Sequence, residues 1–430
     1  MMKIKIGVIG LWHLGCVISA SWSKLGYNVV GFDYDNERIE KLKIGIPPLF
    51  EPQLQDAIKE GFMRNLLTFT QTINDLSNCD FIFLSYDTPV RDDDSSETTI
   101  LIRSINDLSK IMKDGAIVII SSQSPVGFCS ELKKYLVNYN SSFDIAYSPE
   151  NLRLGEAISC YLHPERIILG TDNQDTEKKC LELFREITEN VLTMNLESAE
   201  MVKHGINCFL AMSIVFANNL ADVCEENKAR IDDVIKGLKS DPRIGIKAYL
   251  SPGIGFSGGT LGRDLKVLDE KNKKTMGYAK LFGFIHEANN QRKIAIVDKV
   301  KKIFGGSTEK TIGILGLTYK PGTSTLRRSL PLEIIELLVK NRFIVNAFDP
   351  MADYSEFPEN HTFSIKKSIE EVSSHADMLL LLTEWHEFKI FPWETITGKL
   401  NSKIFYDTKN FLDEIKMQEY GFKYYSIGRG

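Results

Sequence analysis

At 430 residues the chain exceeds one ordinary hydrophobic core and is expected to form two or three domains. Its 43% hydrophobic and 25% charged residues are those of a globular protein, and a net charge of −5 without a basic block excludes nucleic acid as the main partner. No apolar run reads as a bilayer span, and the strand-like residues 1–10 lack a signal-peptide layout, so the expectation is a cytoplasmic protein with no membrane partner. The seven cysteines are scattered, odd in number and in no paired spacing, which predicts reduced thiols and no metal site.

The chain opens on a buried-strand pattern, Lys3-Ile4-Lys5-Ile6-Gly7-Val8-Ile9, that runs into Gly10. A helix-like stretch follows, then a second apolar strand, 29–32, ending at Asp33. Strand, glycine turn, helix, strand is the opening unit of a doubly wound parallel sheet. Gly10-Leu11-Trp12-His13-Leu14-Gly15 takes the place of a GxGxxG phosphate turn. Gly10 supplies the tight turn and Gly15 the close helix–sheet packing. Trp12 fills the middle place, where glycine usually lets the backbone near a pyrophosphate; a Rossmann-like turn that binds no dinucleotide is the alternative reading. Asp33 is placed to accept hydrogen bonds from the adenosine ribose, and its charge repels a 2′-phosphate, so NAD is expected over NADP.

Short apolar runs at 81–84, 116–120, 144–147 and 166–170 continue the first sheet. From about 196 the period becomes helical. Met201, Ile206, Phe209, Leu210, Ile214, Phe216 and Leu220 recur at three- and four-residue spacing and predict a long apolar helix, a natural hub and homodimer seam. The opening pattern then returns at 310–317, with a strand at 345–348 ending in Asp349; the runs 378–382 and 403–407 complete a second sheet. The expected fold is α/β: two doubly wound, Rossmann-like parallel-sheet domains joined by a central long-helix domain, with boundaries at 1–195, 196–296 and 297–430.

Seven segments carry a family resemblance. Gly255-Phe256-Ser257-Gly258-Gly259-Thr260-Leu261-Gly262-Arg263-Asp264 resembles the active-site loop Gly-Phe-Gly-Gly-Ser-Cys-x-Pro-Lys-Asp of the nucleotide-sugar dehydrogenases, the UDP-glucose/GDP-mannose dehydrogenase family. Pro48-Leu49-Phe50-Glu51-Pro52, Ser122-Gln123-Ser124-Pro125-Val126-Gly127 and Ser148-Pro149-Glu150-Asn151-Leu152-Arg153-Leu154-Gly155 are similar to further family segments. So are Glu200-Met201-Val202-Lys203-His204-Gly205-Ile206-Asn207, Asp241-Pro242-Arg243-Ile244-Gly245 and Leu317-Thr318-Tyr319-Lys320-Pro321-Gly322-Thr323. They occur in the family's order over almost the whole chain.

The resemblance implies NAD-dependent oxidation of a primary alcohol on a nucleotide sugar, a UDP-hexose above others, for polysaccharide synthesis. It places Lys203, Asn207 and Asp264 at proton handling from the C6 hydroxyl, and Glu150 at hydrolysis of a covalent intermediate. It puts Thr88, Pro89, Gln123 and Arg327 beside the cofactor, with Gly10, Trp12, Gly15 and Asp33. It assigns Arg153, Arg243, Tyr249, Gly255, Phe256, Gly258 and Lys320 to the nucleotide sugar. Thr260 stands where the family carries its nucleophilic cysteine, Leu154 replaces an acid, Gln123 a threonine and Arg263 a lysine. A threonine hydroxyl is far less acidic than a thiol, so Thr260 is not expected to form a covalent intermediate. Three outcomes stay open: full oxidation to the acid through an aldehyde hydrate, arrest after one oxidation, or a retired nucleotide-sugar-binding sensor or partner subunit.

Overall fold

The computed structural model describes residues 4–87, 97–137, 143–150, 152–153, 155–273, 280–357 and 361–429. The short apolar runs fold as expected, into two sheets. β1 (Lys5–Ile9), β2 (Asn28–Phe32), β3 (Leu67–Thr70), β4 (Phe81–Leu84), β5 (Ile117–Ile120), β6 (Asp144–Tyr147), β7 (Ile167–Gly170) and β8 (Val191–Met194) form the first, in the order β3-β2-β1-β4-β5-β6-β7-β8. Its central strands are buried on both faces, which is why they read as unbroken Ile/Val/Leu/Phe runs instead of alternating ones. Ile6 and Val8 pack toward Ile18 and the fully buried Trp22 on one face; Ile9, Ile82 and Leu84 pack toward Leu101 and Ile105 on the other. Each such side chain contributes about 1.5–3 kcal/mol by leaving water.

The second sheet consists of β9 (Thr311–Leu315), β10 (Ile344–Phe348), β11 (Ser364–Ile365), β12 (Met378–Leu381), β13 (Ile404–Asp407) and β14 (Lys423–Ser426), in the order β11-β10-β9-β12-β13-β14. That is the order of the first six strands of the first sheet, so the repeated sequence pattern is a repeated topology. The registers agree too: Ile9 pairs with Phe32 and Leu84, and Leu315 with Phe348 and Leu381.

Two details differ from the sequence reading. The first sheet is not parallel throughout, because β7 meets β6 antiparallel at Tyr147 and Gly170, and β8 runs with β7. The chain between them is spent on a loop and the six-residue helix Ala157–Leu162, and it turns back without the crossover helix that parallel pairing requires. The second sheet also gains β11 and β14 at its edges, strands too short or too polar to announce themselves.

The helical period from 196 becomes one helix, Leu196–Glu226. It is long and apolar enough to cross a bilayer by length and composition alone, contrary to the expectation above. Its polar residues Glu200, Lys203 and His204 are nonetheless buried against protein. The chain divides into two units, Met1–Gly205 and Ile206–Gly430.

Candidate functional site

The glycine turn of the first unit is tight and opens on a helix N-terminus. Gly10 sits at φ +91°, where a Cβ would stand 2.8 Å from the backbone nitrogen of Tyr86. At Gly15 a Cβ would come within 1.9 Å of the Gly10 carbonyl oxygen, so only glycine lets the first helix, His13–Lys24, start this close to β1. That helix begins with no side-chain cap at Trp12 and no acidic residue in its first turn, which leaves its amide donors and positive dipole end suited to a pyrophosphate. The next comparable helix start, Phe128–Val137, is closed instead: the Glu200 carboxylate accepts from Gly127 N at 2.5 Å and Cys129 N at 2.9 Å. Burial raises the Glu200 pKa, and those amides pull it back toward the charged form.

Asp33 ends β2 and accepts from Leu11 N at 2.7 Å, locking the acid onto the turn. Arg38, in the first turn of the helix Asn36–Lys43, donates to the same carboxylate at 2.8 Å and lays its guanidinium 5.3 Å from the centroid of the Trp12 indole. The indole therefore leans to the Asp33 side of the turn. Gly10, Gly15, Asp33 and the open helix start fit the pyrophosphate and adenosine ribose of NAD.

Glu51 explains its own motif. Buried, it accepts from Gly155 N at 3.0 Å, Ala157 N at 2.9 Å and the His13 ring at 2.9 Å. It thus ties the glycine turn to the loop that carries Glu150. Lys203 reaches that loop from the long helix: Nζ donates to the Glu150 carbonyl at 2.7 Å and to its carboxylate at 3.2 Å. His204, one residue on, donates from Nε2 to the Ser124 carbonyl at 2.9 Å. Glu200, Lys203 and His204 share one helix face by their three- and four-residue spacing. Of the other residues assigned here, Gln123 is half-buried after β5 and Arg153 is exposed, while Thr88 and Pro89 lie outside the described residues, as does Leu154.

In the second unit Asn207 donates to the fully buried Asp264 carboxylate, which also holds the Arg263 guanidinium at 3.4 Å. Gly258–Gly262 is a π-helical turn that carries an exposed Thr260 and leads into the helix Arg263–Lys273. The strand of loop before it is pinned by residues that sequence reasoning missed. Asn289 accepts from Phe256 N at 2.9 Å and donates to Phe256 O at 2.8 Å; Asn218 accepts from Gly253 N at 2.7 Å; Arg292 donates to Gly253 O at 2.8 Å. Their one sequence signal is polarity at buried helix positions. Asn289→Ala is expected to cost about 1–3 kcal/mol by stranding both Phe256 backbone groups. It should raise the KM for nucleotide sugar while the NAD affinity, read by calorimetry, stays put.

Cys208 lies in the same apolar cluster as Phe256 and Leu265. Burial first, and the Asp264 charge second, push its thiol up to about 12, so it stays protonated at neutral pH and is no substitute nucleophile. Arg243 and Tyr249 stand exposed on the 241–250 segment, with Arg243 paired to Asp241 at 2.7 Å. The second glycine turn repeats the first: Gly316 at φ +92°, and Asp349 accepting from Leu317 N at 2.7 Å. Asp349 is also taken by Thr318 N at 3.1 Å and Trp385 Nε1 at 3.0 Å, so its further partners are buried in the core, where that of Asp33, Arg38, is half-buried. Lys320 is half-buried after that turn with Nζ 5.7 Å from the Tyr319 ring centroid, and Arg327 is exposed on a loop held by Glu356.

Comparison with known proteins agrees with this division of labour. The UDP-glucose/GDP-mannose dehydrogenase family models match as an NAD binding domain over residues 4–188, a central domain over 197–291 and a UDP binding domain over 313–414. UDP-glucose 6-dehydrogenase of Rickettsia felis is 31% identical, covering 99% of this chain and 96% of its own length. UDP-glucose 6-dehydrogenase TuaD of Bacillus subtilis is 32% identical over 99% and 93%. Among solved structures, a UDP-D-ManNAc dehydrogenase from Pyrococcus horikoshii superposes with a TM-score of 0.87 at 26% identity, covering 99% of this chain and all of that one. Matched end to end in this way, the chain belongs to the UDP-glucose/GDP-mannose dehydrogenase family and is an NAD-dependent nucleotide-sugar dehydrogenase.

Proposed function

We propose that the chain oxidises C6 of a UDP-hexose by one two-electron step and releases the aldehyde. The observation that carries this reading is Thr260, exposed on the π-helical turn at the position of the family's nucleophile. NAD supplies the hydride acceptor. The proton leaving the C6 hydroxyl goes to the buried Lys203 amine once its ammonium has passed a proton to the Glu150 carboxylate 3.2 Å away. Asp264, fixed by Asn207 and Arg263, is the second proton-handling group. Bond by bond the step balances: C6 loses a hydride and its hydroxyl a proton, leaving a carbonyl. Continuing to the acid through a thioester needs a thiol, which Thr260 lacks and the buried Cys208 does not supply.

The test is stoichiometry. UDP-hexoses incubated with excess NAD should yield one NADH per sugar and a product two mass units lighter than the substrate. Two NADH per sugar, with a carboxylate product, would show that an aldehyde hydrate carries the reaction on and would end the reading.

The same proposal includes a homodimer. Phe209, Phe216 and Val223 recur every seven residues on the long helix and are 62%, 50% and 58% exposed, with half-buried Met212 in line. Large apolar groups at that period make a helix-packing seam. Phe216→Asp is expected to convert a dimer of about twice the chain mass into monomers in light scattering; an unchanged mass would remove this stripe from the interface.

A further inference from the structure

Trp12 is the residue of the glycine turn that the family pattern does not explain, because a side chain there invites the reading of a blocked pyrophosphate path. Its surroundings point elsewhere. The indole is 39% exposed, and the Arg38 guanidinium lies over its face at 5.3 Å, within cation–π range. Arg38 is itself fixed by NH1 to Asp33 at 2.8 Å and by NH2 to Asp35 at 3.2 Å. Indole, guanidinium and the ribose-binding carboxylate are therefore one connected unit, and the indole stands on the adenosine side of the helix start. A flat aromatic face beside a ribose anchor suits a purine, since every base presents a π-face for stacking.

We propose that the Trp12 indole, held by Arg38, is a wall of the adenosine subsite and adds to NAD affinity. Arg38 is the positioning residue. It orients the indole and competes with the ribose hydroxyls for Asp33, so cofactor binding loosens its ion pair while the stack persists.

The protein reports on this directly. Of its four tryptophans, Trp22, Trp385 and Trp393 are buried, so the accessible emission belongs to Trp12. On the wild-type chain, NAD and AMP should quench that emission and protect it from iodide, while nicotinamide mononucleotide, which lacks the adenosine, should do neither. Trp12→Phe should lose the fluorescence response yet bind NAD in calorimetry within a few-fold of wild type. Trp12→Gly, which restores the family residue, should weaken NAD about tenfold, the scale of one lost stacking contact. Equal or tighter NAD binding by Trp12→Gly would overturn the wall and make the indole a plug. So would NAD heat without any change in Trp12 emission or iodide access. No heat with NAD in the wild-type chain would overturn the cofactor fit itself, and the wall with it.

Discussion

Replacing Lys203 with alanine is expected to lower turnover about a thousandfold, within the ~10²–10⁴ range of a positioned proton acceptor. The long helix buries this amine, and its two acceptors come from one residue, the carbonyl and the carboxylate of Glu150. Removing it leaves the Glu150 carboxylate without its ammonium, but that side chain is one-third exposed and water can solvate it, so the fold should survive. Thermal melting and NAD calorimetry on the variant check this. Lys203→Arg separates charge from proton transfer. A guanidinium can keep the ion pair with Glu150, yet it cannot be deprotonated in a protein. It should be nearly as inactive as alanine. If Lys203→Arg turns over at close to the wild-type rate, Lys203 is a structural cation and the base lies elsewhere.

Thr260→Cys is expected to raise the yield from one NADH per sugar to two, with the uronate appearing by mass. A cysteine at this exposed place would carry a thiol with a pKa near ~8.5, readily ionised and nucleophilic, where the hydroxyl is not. The aldehyde could then be captured as a thiohemiacetal, give up a second hydride and leave by hydrolysis. The family resemblance assigns that hydrolysis to Glu150 with Leu154 and Gln123 in place of its usual helpers, so the second NADH should form more slowly than the first. The first oxidation should keep its rate. One NADH per sugar from a folded Thr260→Cys would mean that arrest, if it occurs, has another cause.

Much of the fold was legible because it is local. β1, β4, β5 and β12 are short apolar runs next to glycine or polar turns, and the long helix declares itself by period. The reversal of β7 was not legible, since strand direction depends on the pairing of Gly170 with the distant Tyr147 and both directions use the same apolar pattern. Asp33 could be placed from its spacing after Gly10; Arg38 could not, because its role follows from the direction the helix Asn36–Lys43 leaves β2. Asn289 was invisible for the same reason: its partner Phe256 is brought to it only by folding. Lys203 was found by motif, but its tie to Glu150 joins positions fifty-three apart and is purely tertiary.

The acids Asp33 and Asp349 show one local device used twice in the chain. Both close a glycine turn through the equivalent backbone amide, yet Asp33 takes its further donors from Asp35 N and the half-buried Arg38, and Asp349 from a threonine and an indole buried in the core. The N-terminal acid can thus exchange its half-buried arginine partner with little disturbance of the core. Its C-terminal sibling has traded that freedom for duty as masonry, and any lineage that alters it must rebuild the neighbouring courses at the same time.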